Sequence, residues 1–396
     1  METYVLDWLN LLLRWLHLIA GAAWVGASFY FVLLDSSLKP ATKDDDIERG
    51  VHGDYWAVHG GGFYHSEKYL TGPKRESLTQ DLHWSKWEAY TTWLSGMGLL
   101  AIIYWFGAST YLIDKAVLAL TPAPAVAISV AFIAGGWLVY DALCRFLAGR
   151  ENLLAAIVFT LVMIADWGLF QIFGARAAYV HVGTMMGTMM VANVFFHIIP
   201  GQKKMVEAIR AGKPVDPQPG VIGKQRSVHN TYFTLPVLFI MISNHYPMTY
   251  SHPYGWAVLG AIMLAGVLIR QFFVLRLRGN IVPSLILIAL LLLVAVGVLL
   301  APKAADPSAV QVTFTRVNAV IAERCMSCHA TQPTQAGFNQ SPKGVILQTP
   351  DQIATHSAKI AETVASRYMP IGNLTQMTDA ERALIATWYA QGARTH

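Results

Sequence analysis

Charge is what this chain has least of. Asp, Glu, Lys and Arg make up 13% of its 396 residues, against 54% for hydrophobic types. That balance excludes an ordinary soluble globule of this length, and equally a disordered, solvating chain. Cysteine is nearly absent, with three in the chain. Two of them stand in one short motif, so Cys144 has no mate and no disulfide within the chain is expected. Cys144 lies in an apolar run and reads as a small buried hydrophobe. No second CxxC is present to complete a zinc site, and no internal repeat stands out. A basic secretory leader is missing too. Glu2 and Asp7 come first, Arg14 lies inside the first apolar run, and that run continues past the cleavage-like Ala20-Gly21-Ala22, so a retained span is expected. The net charge of +5 does not argue for a nucleic-acid partner, because the excess sits in loops between apolar stretches.

What is present is a series of long apolar runs. Those at roughly 8–34, 89–107, 123–144, 152–173, 178–199, 229–246, 255–276 and 281–301 read as eight transmembrane helices. The sixth is short and contains Pro236. Basic residues follow spans three, five and seven: Arg145 and Arg150, then Lys203, Lys204, Arg210, Lys213, Lys224 and Arg226, then Arg276 and Arg278. With eight spans these loops share one side, which the positive-inside rule makes cytoplasmic. Both termini then face the periplasm of a bacterial inner membrane, and the lipid bilayer is an obligatory partner.

Beyond the last span stands Cys325-Met326-Ser327-Cys328-His329, a CxxCH motif of the kind that attaches c-type haem. The thiols lie about one helical turn apart, so each can form a thioether to a vinyl group, and the adjacent imidazole supplies the proximal ligand. Attachment of this kind takes place outside the bacterial cytoplasm, in agreement with the loop charges. Met369, followed by Pro370 and forty residues past His329, stands where small class I cytochromes keep their axial methionine. Its rivals are Met326, inside the motif, and Met377, just before Thr378-Asp379-Ala380-Glu381, which reads as a capping box opening a last helix. A redox dithiol is the blander reading of the two cysteines. The fold class expected is all-α: an eight-span bundle over 1–301, a linker over 302–308, and a small class I cytochrome c domain over 309–396.

His17, His181, His197, His229 and His245 fall in or at the ends of spans. Ionisable residues at such depth are functional candidates, and these are candidate ligands for one or two b-type haems or another metal. On an ideal helix, positions sixteen apart, as His181 and His197 or His229 and His245, differ by about 160°, so partners would have to come from several helices. The plain alternative is a neutral imidazole bonding a neighbouring helix. Met185, Met186, Met189 and Met190 read as packing, Gly183 and Gly187 as a small-xxx-small contact, and Asp141 as a partner for Arg145. Asp166 has no obvious local partner and is a candidate for proton relay.

The stretch from about 36 to 88 is long for a connector and too aromatic for disorder. It contains His59-Gly60-Gly61-Gly62-Phe63-Tyr64-His65, whose glycines would let backbone approach a ligand closely, and His83, Trp84, Lys86, Trp87, Glu88 and Tyr90 at the mouth of span two. The tryptophans also fit an interfacial belt.

Taken together, Trp15-Leu16-His17, the His59-Gly-Gly-Gly segment, the His83-Trp84-x-x-Trp87-Glu88-Ala89-Tyr90 segment and the terminal CxxCH resemble bacterial membrane-bound urate oxidases fused to cytochrome c. The likeness runs over the whole length, and its domain order is more specific than its membrane motifs. It implies oxidation of urate to 5-hydroxyisourate without hydrogen peroxide. Electrons would leave through one covalent haem c, held by Cys325, Cys328, His329 and Met369, to a terminal oxidase or soluble cytochrome c. Urate is flat, electron-rich and anionic, so it needs an aromatic platform, in-plane donors and a base. His59 or His83 as base, Lys86 as charge partner, and Trp84, Trp87 and Tyr90 as substrate-binding residues meet that need. A site there would lie about 30 Å of hydrocarbon away from a periplasmic haem, which calls for a relay. A membrane quinol dehydrogenase with the same cytochrome outlet is the alternative, and a non-enzymatic anchored cytochrome is the weakest reading.

Overall fold

The computed structural model describes residues 2–301, 311–335 and 338–395. The expected linker at 302–308 lies outside them. Helix dominates. The first helix, α1, runs Glu2–Ser37, and after it comes a short strand, β1 (Lys39–Pro40), then α2 (Asp44–Arg49), β2 (Gly53–His59) and β3 (Gly62–Lys68). The bundle continues with α3 (Trp87–Leu100), α4 (Pro122–Phe146), α5 (Glu151–Phe170), α6 (Ala175–Ala192), α7 (Ile199–Arg210), α8 (Gln218–Ser243), the one-turn α9 (Pro247–Tyr250), α10 (Gly255–Leu277) and α11 (Pro283–Leu299). The C-terminal unit contains α12 (Phe314–Arg324), α13 (Pro350–Thr355), α14 (Ser357–Ala365) and α15 (Asp379–Ala390).

Five helices among the described residues are long and apolar enough to cross a membrane: Tyr4–Ser37, Pro122–Phe146, Glu151–Phe170, the continuous Ala175–Arg210, and Gly255–Leu277. The other expected spans are helical but fall short for separate reasons. α11 has 17 residues, about 25 Å of helix. α3 passes into π-helical turns at Ala101–Trp105 and Ala108–Leu112. α8 is diluted by buried polar residues, among them Arg226, Asn230, Thr231 and Thr234. Pro122 and Pro283 open α4 and α11, where the missing N–H is not needed.

The core of the bundle lies among α4, α5 and α6, where Tyr140, Leu154, Leu169, Tyr179, Met185, Met186 and Met189 are buried together. The methionines are packing residues, as expected. Gly136 lets α4 close onto Met185. A Cβ on Gly183 would lie 2.6 Å from Ile240, whereas Gly187 faces open space. The small-residue contact between α6 and α8 therefore rests on one glycine of the expected pair.

The all-helical expectation misses a three-stranded antiparallel sheet, β1-β2-β3, in the stretch between α1 and α3. Here the glycine run is a hairpin turn. His59 pairs with Gly62, and Gly60 and Gly61 have φ of +59° and +80°, which side chains resist and a tight two-residue turn requires. Arg49 ties the sheet to α2, donating to Asp46 at 2.7 Å and Glu67 at 2.6 Å.

Candidate functional site

The CxxCH segment begins where α12 ends. The Cys328 and His329 N–H groups both donate to the Cys325 carbonyl, at 3.1 and 2.9 Å, which coils the motif into one turn. The His329 Nδ1–H donates to the Val345 carbonyl at 3.0 Å. A ligating histidine held this way keeps Nε2 for the metal. Burial foremost pushes the Cys325 thiol up to about 12 and raises that of Cys328, so neither is a thiolate at neutral pH. Met377 is 3% exposed and packs with Val317, Ile321, Ile385 and Trp388 in the small core. Met369 lies in the loop after α14, and that loop is clamped by Arg382, which donates to the carbonyls of Val364 at 2.8 Å and Met369 at 2.7 Å and to Asn373 Oδ1 at 3.1 Å. Thr378 and Glu381 form the expected capping box at the start of α15. Burial opposes ionisation of Glu381, but bonds from Thr378 and Arg324 hold its carboxyl below the usual range. The donor set of two thiols, a tethered imidazole and a clamped methionine loop fits a covalent haem.

The methionine loop meets the membrane bundle. A Cβ on Gly372 would lie 2.9 Å from the Thr110 carbonyl oxygen. Tyr368, next to Met369, lies within electrostatic range of Arg176 and Tyr250, and Arg382 within that of Asp114. Beneath this contact is a group of polar side chains of which the sequence singled out Asp166 alone. Arg176 Nε donates to Asn244 Oδ1 at 2.9 Å. Tyr104 and Tyr250, each 4% exposed, have hydroxyls without hydrogen-bond partners among the described residues. Arg176 acts on both electrostatically. Tyr179 packs edge-on to Tyr250, centroids 5.8 Å apart, and donates to the Gly255 carbonyl at 2.8 Å. Asp166, fully buried, interacts with Tyr179, and both its oxygens lack a partner. Orphaned buried polar atoms are rare in proteins, and Tyr104, Tyr250 and Asp166 contribute four of those among the described residues.

A second buried network occupies the opposite half of the bundle. Asp141 accepts from Arg226 Nη2 at 2.8 Å, His197 Nε2 at 2.6 Å and Arg145 Nη2 at 2.7 Å. The Arg226 guanidinium also reaches Asn193 at 3.2 Å and lies over the Tyr140 ring. Asn193 donates to the Tyr140 hydroxyl at 2.9 Å and to Asn230 at 2.9 Å, and Tyr140 bonds His229 at 2.8 Å. Asn193 and His197 both sit in a π-helical turn, Asn193–Ile198, between α6 and α7, a backbone feature frequent at functional sites. Cys144 is buried as expected, its sulfur 3.8 Å from His229.

The membrane histidines are engaged within this framework. His181 bonds Ser129 at 2.6 Å and the Ala177 carbonyl at 2.7 Å. His229 bonds Tyr140 and, through Nε2, Glu151 at 3.3 Å. His17 Nδ1 faces the Thr92 carbonyl and Ser95, at 2.9 and 3.1 Å, and its ring covers Gly96. His245 is exposed. No two of these histidines touch, and no group of three His, Cys, Asp or Glu suited to a metal occurs among the described residues. Side chains arranged this way do not fit a bis-histidine membrane haem.

The loop candidates are distributed over two elements. His59 ends β2 at the hairpin and His83 precedes α3. Both are exposed, and no hydrogen bond or ring contact joins them among the described residues. Lys86 lies 5.5 Å from the Trp87 centroid, Trp87 meets Tyr90 edge-on at 5.9 Å, and Tyr90 meets Phe195 at 5.5 Å. Trp84, Tyr90 and Trp93 pack around Ala89, Val191 and Val194.

A family model described as urate oxidase N-terminal matches residues 3–301, the whole of the bundle. The chain belongs to the urate oxidase N-terminal family. Membership points to a urate-related oxidoreductase, and its long apolar helices are compatible with a multi-pass membrane protein. The CxxCH unit lies beyond the matched residues. No curated protein and no solved structure matches the chain.

Proposed function

We propose that this chain oxidises urate to 5-hydroxyisourate at the end of the bundle that faces its own CxxCH unit, and passes the electrons to a covalent haem c held there. The observation that carries this reading is the close approach of the Met369 loop to the family domain, where a Cβ on Gly372 would lie 2.9 Å from the Thr110 carbonyl oxygen, with Tyr368 in electrostatic range of Arg176 and Tyr250. Urate plus water gives 5-hydroxyisourate, two protons and two electrons, so the site must hold an anion, admit water, accept protons and release electrons nearby. Arg176 supplies the positive charge. The Tyr104 and Tyr250 hydroxyls supply donors for the carbonyl edges of a planar ring. Asp166, with both oxygens unpaired, is suited to accept a proton through Tyr179 or water. Cys325, Cys328, His329 Nε2 and Met369 would hold the haem. When bound, the haem supplies one-electron acceptance at a potential raised by the thioether ligand.

Loop charge and haem attachment together support an eight-span arrangement with the C-terminal unit in the periplasm and a terminal oxidase or soluble cytochrome c as next acceptor. A site at His59, His83, Lys86, Trp84 and Trp87 would instead lie about 30 Å of hydrocarbon from that unit.

The test is an anaerobic titration of air-oxidised protein with urate. Reduction of a c-type band near ~550 nm, stoichiometric with urate lost, is expected. Failure of urate to reduce a haem that quinol reduces readily overturns the reading in favour of a quinol dehydrogenase.

A further inference from the structure

A recess of about 480 Å³ opens between α1, α8 and α10, away from every group discussed so far. Its walls are apolar: Phe29 from α1, Leu235 from α8, and Ile269 and Phe273 from α10. Arg270 and Arg276 supply its charge. Arg270 is 6% exposed, and its Nε and Nη2 atoms have no hydrogen-bond partner among the described residues. Its guanidinium lies 4.9 Å from the Phe29 centroid, a contact that orients the cation without neutralising it. No carboxylate lines the recess. The nearest acid along α1, Asp35, is already bonded by Lys68 and Lys224. Gln271, next in sequence, is bonded by the Tyr232 hydroxyl.

A buried guanidinium without an anion is strongly unfavourable. This one lies nearly two turns inside the end of an apolar helix, and Phe273, three residues on, is 45% exposed on the same surface of the bundle. The missing partner therefore has to combine negative charge with hydrocarbon. We propose that the recess binds one anionic phospholipid, its phosphate on Arg270 and Arg276 and an acyl chain along Phe29, Leu235, Ile269 and Phe273. A phosphodiester matches the forked N–H groups of arginine. A neutral quinone would fill the apolar walls but leave both cations unpaired. The basic end of α10 also belongs to the leaflet where anionic headgroups attract positive side chains.

The test uses full-length protein purified in mild detergent and analysed by native mass spectrometry with added phosphatidylglycerol, phosphatidylcholine or ubiquinone. Wild type should retain one phosphatidylglycerol in preference to phosphatidylcholine, and Arg270→Gln should weaken that retention about tenfold, the loss expected for a charge-assisted pair. Leu235→Trp, which fills the recess and keeps Arg270, should expel the lipid as well, and it decides the matter if Arg270→Gln does not fold. Equal retention of the two phospholipids by wild type overturns the proposal. So does retention unchanged in both variants, or displacement of phosphatidylglycerol by equimolar ubiquinone.

Discussion

Arg176 and Arg382 are residues whose importance appears only when the chain is folded. Each is an isolated cation in an ordinary helical stretch, and each acquires its partners from segments distant in sequence: Asn244, Tyr250 and Tyr368 for Arg176, Met369 and Asn373 for Arg382. The CxxCH motif stands out in the sequence because its residues are local. Two thiols and an imidazole within five residues suffice to recognise it, and the Thr378–Glu381 cap was legible for the same reason. By contrast, His59 and His83 drew attention as ionisable residues in an aromatic loop, a signal that carries no information about convergence. These two classes of residue can be separated experimentally. Arg176→Gln should lower kcat/KM for urate by roughly 10–100-fold, the usual loss for a charged partner of a bound anion, while ascorbate still reduces the haem at the wild-type rate. His83→Ala should leave urate turnover within about twofold. Full activity in Arg176→Gln together with a collapse in His83→Ala would move the site to the loop.

At the scale of elements, helix positions followed from hydropathy, while the polar seams between helices did not. Asp141 was matched to Arg145 by its i,i+4 spacing, and that pair is present at 2.7 Å. Its deeper partners Arg226 and His197 come from α8 and from a π-helical turn, neither of which leaves a periodic mark in the sequence. The π turn matters because an extra residue in one turn rotates everything after it, so face assignments drawn from 3.6-residue geometry fail beyond Asn193. The sheet between α1 and α3 is hidden differently: β2 and β3 are seven residues long with irregular burial, and the hairpin glycines read equally well as a ligand-approach loop. The seam across α4, α6 and α8 makes a stability prediction. Arg226 is 2% exposed, so Arg226→Met removes the buried cation on Asp141, leaving Arg145 and His197, and should cost about 3 kcal/mol in unfolding from detergent micelles. Adding Asp141→Asn should restore part of that loss, because the carboxylate no longer needs a cation. Equal destabilisation in the single and double variants would mean that the guanidinium matters for packing on Tyr140 more than for charge.

For the whole molecule, the question is how the proposed reaction would join the bundle to the C-terminal unit. The family match ends at residue 301, yet the C-terminal unit meets the bundle at Thr110 through the loop that contains Met369, with Tyr368 in electrostatic range of Arg176 and Tyr250. No sequence signal announces this contact, because it is made by Gly372 against a backbone carbonyl and by a tyrosine beside an arginine. Gly372 has φ of +56° and its Cβ position lies 2.9 Å from the Thr110 oxygen, so Gly372→Val is both strained and obstructed at the interface. The substitution should lift the loop from the bundle while leaving His329, Cys325 and Cys328 in place. Urate-driven haem reduction should then slow by roughly tenfold or more, as small misplacements of reacting partners do. Reduction by ascorbate, which approaches from solvent, should be unchanged. The haem spectrum separates the outcomes. If methionine ligation is lost, the defect is local to the C-terminal unit. If ligation is intact and urate still reduces the haem at full rate, electrons enter by another face and the junction is not the electron path. Intact ligation with a selective loss of urate-driven reduction is the result the geometry calls for, since only that outcome requires the two units to touch where Gly372 meets Thr110.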